Sequence, residues 1–246
     1  MLCQCSSLRY AASPELLTHG PFDLYVYRPP GTAQHLALFL SGDGGWGEGL
    51  GATAERLAAG ATLVAGIDVR HLLASYRLDA APCISPGADL AELSHYLREH
   101  YHLGPAAPVL IGHSAGATLA YVALAQAAAG TFQGALTLSF CADLDLTKPL
   151  CPALADVPLP GGVRLLPAAS LPAPWIALHG LEDGECPAAA ARSFASAVRG
   201  ARFIALPGVT HNYRERSDLD RRLWWPQFDA AYRELAGPPA APSGAP

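Results

Sequence analysis

From His100 to Ala142 the chain carries no Asp, Glu, Lys or Arg. An uncharged run of that length has to be either a membrane span or the inside of a folded domain. Glycines, prolines and His113 interrupt it, and every apolar stretch within it is too short to cross a bilayer. The segment therefore reads as the buried centre of a soluble domain. Its internal order is a continuous apolar run from Pro108 to Gly112, the turn His113-Ser114-Ala115-Gly116, an Ala-rich helix ending near Gly130, and a second apolar run from Leu136 to Phe140. Short apolar runs without alternation are what strands covered on both faces of a parallel sheet require.

The same rhythm extends outward. Phe22 to Tyr27 alternates like an edge strand and stops at Arg28-Pro29-Pro30-Gly31, and His35 to Leu40 is a buried strand running into Ser41-Gly42-Asp43-Gly44-Gly45-Trp46. A helix to about Ala59 follows, then a strand from Ala61 to Ile67 and a helix from about Ala88 to His102, in which Leu90, Leu93 and Leu97 recur at helical spacing. Beyond the centre come a strand at Trp175 to Leu178, a helix at Ala188 to Val198, a strand at Arg202 to Leu206 and a last helix from about Asp218 to Leu235. Alternating strands and helices imply right-handed crossovers and a mainly parallel sheet with helices on both faces.

Residues 141–172 break the rhythm with six prolines and no clear period, which predicts a lid-like irregular insertion. The loop at 70–86 is likewise not placed by propensity. At 246 residues the chain fits one domain, expected over 21–236, with an N-terminal extension at 1–20 and a disordered tail at 237–246. Residues 1–10 have one Arg and no apolar core, so as written they are not a signal peptide. A net charge of -5 and no dense basic stretch argue against a nucleic-acid partner.

Gly112-His113-Ser114-Ala115-Gly116 fits the G-x-S-x-G nucleophile elbow in its required place, after a buried strand and before a helix. A sharp turn strains the serine backbone and leaves no room for side chains beside it, hence the glycines. Chain order then calls for an acid followed by a histidine, each on a loop after a later strand. His179-Gly180-Leu181-Glu182-Asp183-Gly184-Glu185-Cys186-Pro187 resembles the acid loop of that superfamily and puts Asp183 in the acid position, with Glu182 and Glu185 as less favoured substitutes for it or else solvated loop charges. Pro207-Gly208-Val209-Thr210-His211 presents the histidine. The expectation is an α/β-hydrolase fold with Ser114 as nucleophile, His211 as base and Asp183 as the acid. Oxyanion donors are expected from the Ala115 amide, then Asp43, then Gly44. His113 and His179 are read as packing or supporting hydrogen-bonding residues.

Leu38-Phe39-Leu40-Ser41-Gly42-Asp43-Gly44-Gly45-Trp46, with Gly66-Ile67-Asp68 after the next strand and Cys186-Pro187 after the acid, resembles the bacterial VirJ/AcvB virulence-protein family over most of residues 35–215. The resemblance implies a periplasmic esterase acting on a small-molecule or lipid ester, with a lysyl phospholipid as the substrate of family members, together with peripheral membrane contact and an association with secretion-system proteins. An alternative is a non-catalytic hydrolase-like binding or chaperone protein linked to type IV secretion. No cofactor or metal is needed by either reading. A carboxylate at Asp43 could attract a cationic acyl group or could simply bond its own turn.

The cysteines are Cys3, Cys5, Cys83, Cys141, Cys151 and Cys186, in no zinc spacing. Cys141 with Cys151 is the preferred disulfide, and free thiols are the equal alternative. Trp224-Trp225-Pro226 is expected to dock on the core, with a membrane or subunit contact as the other reading.

Overall fold

The computed structural model describes residues 13–213 and 218–238. The expected strands appear as β2 (Phe22–Tyr27), β3 (His35–Leu40), β4 (Thr62–Ile67), β5 (Val109–His113), β6 (Gly134–Leu138), β10 (Trp175–Gly180) and β11 (Arg202–Leu206). The first strand, β1 (Glu15–His19), lies in the stretch expected to precede the domain. It pairs antiparallel with β2 in the register Leu17↔Leu24, so the domain begins earlier than residue 21. The eight strands run in the order β1-β2-β4-β3-β5-β6-β10-β11, with β2 antiparallel to both neighbours and all later pairs parallel.

Strand periodicity divides β3 between two cores. Leu36, Leu38 and Leu40 join one apolar cluster, and Ala37 and Phe39 join the other. The second face is covered by α1 (Glu48–Ala59) and α6 (Asp218–Ala236), through Leu57, Phe228 and Leu235. The first is covered by α2 (Val69–Leu78), α3 (Pro86–His100), α4 (Ala115–Gln126) and α5 (Ala188–Ala197). Residues 116–124 of α4 are all buried, which explains the uncharged run: this helix has no solvent face to carry a charge. No helix among the described residues is long and apolar enough to cross a membrane.

Two regions depart from the sequence reading. Residues 69–78, left without structure, form α2. The Asp68 carboxylate caps its N-terminus by accepting from the His71 amide at 3.1 Å, while Val69, Leu72, Leu73 and Tyr76 bury one face. The 141–172 insertion is irregular over most of its length, as expected, but it also holds a small antiparallel sheet, β7 (Asp143–Leu144), β9 (Gly162–Leu165) and β8 (Asp156–Leu159), in that spatial order. Leu144, Leu146, Leu150 and Leu165 tie the insertion to the core.

The expected Cys141–Cys151 disulfide is also corrected. Cys83 pairs with Cys151, and Cys141 with Cys186. Cys3 and Cys5, and the tail from residue 239, lie outside the described residues. Trp224 docks as expected, buried between Tyr213 and Phe228 with ring centroids at 5.1 and 5.6 Å, and Arg56 covers the face of Trp225 at 4.6 Å.

Candidate active site

The carboxyl ends of β3, β5, β10 and β11 lie along one edge of the sheet, where loops between parallel strands can converge. Ser114 joins β5 to α4 at φ +54 and ψ -121, a conformation costly for any residue with a side chain. Its neighbours make that geometry possible. A Cβ on Gly112 would stand 2.2 Å from the Gly116 carbonyl oxygen, and one on Gly116 would stand 2.2 Å from the Ser41 carbonyl oxygen. The elbow is thus fixed by close packing against both the following helix and the loop after β3.

His211 and Asp183 reach the serine from the loops after β11 and β10. Ser114 Oγ lies 3.0 Å from His211 Nε2, and His211 Nδ1 lies 3.0 Å from each oxygen of Asp183. An ionised carboxylate only accepts, so the imidazole proton sits on Nδ1 and the Nε2 lone pair faces the serine hydroxyl. Burial alone would raise the Asp183 carboxyl. The Ser139 hydroxyl, the Cys186 amide and His211 outweigh it and hold the group below the ordinary carboxylate range. The amides of Glu185 and Cys186 donate to Asp183 Oδ1 at 3.0 and 2.8 Å.

Further side chains fix the loops. His113 Nε2 donates to the His211 carbonyl at 2.9 Å, and Ser139 Oγ donates to the same oxygen at 3.1 Å. His179 Nε2 donates to the Cys186 carbonyl at 2.7 Å. Burial lowers the pKa of both histidines, so they stay neutral donors at neutral pH. The supporting role read for His113 and His179 thus has specific atoms. Ser139, at φ +52 beyond the end of β6, had no sequence signal. Glu185, read as a solvated charge, is exposed but approaches His211 Nε2 at 3.4 Å.

The loop after β3 forms a tight turn in which the Gly45 amide donates to the Gly42 carbonyl at 3.1 Å. Asp43 and Gly44 are its central residues. Asp43 lines the cleft with Ser114 and Ala115. The Asp43 side chain makes no hydrogen bond to its own turn among the described residues. Ala115 is the first residue of α4, where backbone N–H groups have no partner within the helix and the dipole is positive.

Two buried side chains anchor the turn to α2. Ser41 Oγ accepts from the Val69 amide at 3.0 Å, and Asp68 Oδ2 accepts from the Trp46 amide at 3.2 Å. Trp46 in turn donates from Nε1 to the Tyr27 hydroxyl at 3.1 Å and lies edge-on to Phe39.

These elements enclose a cleft of about 440 Å³. Its floor holds Ser114, Ala115 and His211. One wall is α2 with Arg70, Leu73 and Arg77, and another is the insertion with Asp143, Leu144, Asp145 and Leu159. Asp183, Cys186 and His211 lie close enough together to suggest metal ligands. Their chemistry does not fit that use, because the Cys186 sulfur is bonded to Cys141 and His211 Nδ1 donates to Asp183.

No protein-family model matches the chain, and no curated protein matches it significantly. Solved structures do. Thermogutta terrifontis esterase 2 phosphorylated by paraoxon is similar at a TM-score of 0.64 and 17% identity, with 93% of this chain and 97% of that one covered. Est1E from Butyrivibrio proteoclasticus gives 0.56 and 14%, covering 90% of this chain and 100% of that one. A Mycobacterium tuberculosis puromycin-hydrolyzing peptidase gives 0.64 and 19% over 93% of this chain but only 40% of its own. At these identities the likeness is one of architecture, and together with the strand order it shows that the chain has the α/β-hydrolase fold.

Proposed function

We propose that the chain is a serine hydrolase that cleaves a carboxylic ester through an acyl-enzyme. The observation that carries this reading is the unbroken line from Asp183 through His211 to Ser114 Oγ, with both contacts at 3.0 Å, opening on the cleft. His211 Nε2 takes the Ser114 proton as Oγ attacks the ester carbonyl. The tetrahedral oxyanion is held by the Ala115 amide and the Asp43 amide. Its collapse expels the alcohol, which leaves with the proton from His211. Water then attacks the acyl-serine by the same route and releases the acid.

The narrower substrate is an aminoacyl ester, a lysyl phospholipid in keeping with the VirJ/AcvB resemblance. Asp43, Asp145 and Glu185 around the cleft favour a cationic acyl group. A periplasmic location accords with two disulfides, which persist in oxidising compartments. Thiol counting on protein from the native compartment tests that: four free thiols among Cys83, Cys141, Cys151 and Cys186 would contradict it.

The reaction is tested with purified protein, a panel of acyl and aminoacyl esters, and a fluorophosphonate probe. Ser114→Ala should lose labelling and at least about a thousandfold in kcat while the fold is kept. Undiminished turnover in that variant would falsify the assignment. For the substrate, Asp43→Asn should weaken turnover of the lysyl ester more than that of a neutral acyl ester, and equal losses would remove Asp43 from acyl recognition.

A further inference from the structure

We propose that Arg70 and Arg77 of α2 form an anion subsite of the Ser114 cleft, which binds a phosphate group carried by the ester substrate. The inference rests on the ester-hydrolase reading for its role in turnover, though not for binding. Arg70, Leu73 and Arg77 stand at i, i+3 and i+7 and share one face of α2. The adjoining face, with Val69, Leu72, Leu73 and Tyr76, is buried in the core, so Leu73 marks the boundary between the two. Arg70, Leu73 and Arg77 all line the same cleft as Ser114.

Neither guanidinium is consumed by the protein. Arg77 is exposed and forms no hydrogen bond or ion pair among the described residues. Arg70 touches Asp68 Oδ2 through one nitrogen at 3.5 Å, and that oxygen already accepts from the Trp46 amide at 3.2 Å. The Arg70 side chain is still 69% exposed, leaving most of its donor fork for a ligand. Its Nη2 lies over Gly45, where an added Cβ would come within 3.0 Å. A group bound there sits beside the turn that carries Asp43.

The carboxylates facing this cleft are Asp43, Asp143, Asp145 and Glu185. Asp143 is taken by Arg164, with bonds of 2.6 and 2.8 Å, and Glu185 faces His211 Nε2 at 3.4 Å. Neither Asp43 nor Asp145 pairs with an arginine of α2 among the described residues. The cleft is thus sorted, with positive charge on the helix wall and negative charge elsewhere, as an ester bearing both signs would need.

Phosphate suits the helix wall better than carboxylate. The two arginines leave α2 seven residues apart, about 10 Å of helix rise, so their forks approach a common ligand from different directions. A carboxylate presents two coplanar oxygens that one fork fills. A tetrahedral phosphate has oxygens left for the second.

The test pairs two esters with the same acyl group, one whose alcohol carries a phosphate and one whose alcohol is uncharged. The wild type should prefer the phosphorylated ester. Arg70→Gln and Arg77→Gln should each lower kcat/KM for it by about tenfold and the double variant by more, with less than twofold change on the uncharged ester. Equal losses on both esters, or no preference in the wild type, would overturn the subsite. Binding to Ser114→Ala protein by calorimetry decides the question without turnover. There the phosphorylated ester should bind more tightly than the uncharged one, and adding both arginine substitutions should abolish the difference; a difference that persists overturns the proposal. Failure of the wild type to cleave either ester counts against the hydrolase reading, while the binding measurement still decides the subsite. Inorganic phosphate distinguishes the source: competition at concentrations comparable to the phosphorylated ester assigns the site to free phosphate and overturns the substrate role, whereas much weaker competition supports it.

Discussion

The two sides of the Ser114 cleft are built from different materials. On the acid and base side, Asp183, His179 and His211 are buried, and the loops that carry them are cross-linked by hydrogen bonds from Ser139, His113 and His179 and by the Cys141–Cys186 disulfide. On the α2 and insertion side, Arg70, Arg77, Asp143 and Asp145 are exposed, and the strand β8 presents Asp156, Val157 and Pro158 to solvent. Burial and dense hydrogen bonding hold reacting groups to fractions of an ångström, which proton transfer between Ser114 and His211 requires. A side wall that only selects the substrate tolerates looser construction. Changes on the first side should therefore alter kcat, and changes on the second should alter which ester is bound.

The largest departure is expected for Asp183→Asn. The amide is nearly isosteric, but it can offer its N–H to His211 Nδ1 and so favour the tautomer whose proton faces Ser114 Oγ. We expect kcat to fall by about 10⁴-fold, the order associated with this change in serine–histidine–acid triads, while the thermal midpoint moves little. A loss confined to KM would break the division between the two sides.

The two disulfides provide the next contrast, since one lies on each side. Cys141–Cys186 joins the residue whose carbonyl accepts from Thr118 at 2.6 Å to the residue whose amide donates to Asp183. Cys83–Cys151 joins the segment before α3 to the insertion, beside backbone bonds between Ile84 and both Pro149 and Cys151. Replacing either pair with serines should lower stability by about 2–5 kcal/mol. Only loss of Cys141–Cys186 should also reduce kcat at low temperature, by about tenfold, because it frees the loop that orients the acid. Equal kcat in the two double variants, both still folded, would show that the acid loop needs no covalent tether.

A smaller effect concerns pH. His113 and His179 both have pKa values lowered by burial, and so has His35 farther away. Below the ordinary imidazole value of 6.5 the unfolded chain takes up protons that the folded chain excludes. Stability should therefore decline as pH falls from about 7 to 5. Asp183 acts lower down: its depressed pKa contributes stability above the ordinary value of 3.8 that is lost as pH falls through the folded value. Urea midpoints at several pH values should show the decline, and His113→Gln, whose amide can still donate to the His211 carbonyl, should flatten it. A midpoint unchanged between pH 7 and 5 would contradict the pKa directions of these histidines.

The buried side was also the side legible in the sequence. Pro108 to Gly112 and Trp175 to Leu178 are covered on both faces, so their strands show as apolar runs, and the elbow glycines are forced by local crowding. The other side left weaker traces. α2 had a signal in Asp68 followed by Val69, Leu72, Leu73 and Tyr76 at helical spacing, but Arg70, His71 and Arg77 lie on the rest of the helix. β7 has two residues and β8 contains Pro158, so neither sets up a period, and only pairing with β9 makes them strands. β1, exposed along most of its length, is defined by its register with β2. Disulfide partners depend on where loops meet: Cys141 and Cys151 are near in sequence, yet the end of β6 and the acid loop bring Cys141 to Cys186.

The smallest effect is expected at Val157 of β8, which is 47% exposed and does not line the cleft. If the insertion acts only through the residues that line the cleft, such as Leu159, then Val157→Ser should leave kcat and KM within about twofold for every ester. Stability should stay within about 0.5 kcal/mol, as for surface positions without special contacts. The substitution bears on the lipid reading as well. An apolar side chain on an exposed strand near the cleft mouth could rest on a bilayer, and then Val157→Ser would weaken hydrolysis of a vesicle-borne ester while sparing a soluble one. That selective loss would make the insertion a membrane-facing element. Equal activity on both forms would confine its role to the cleft wall.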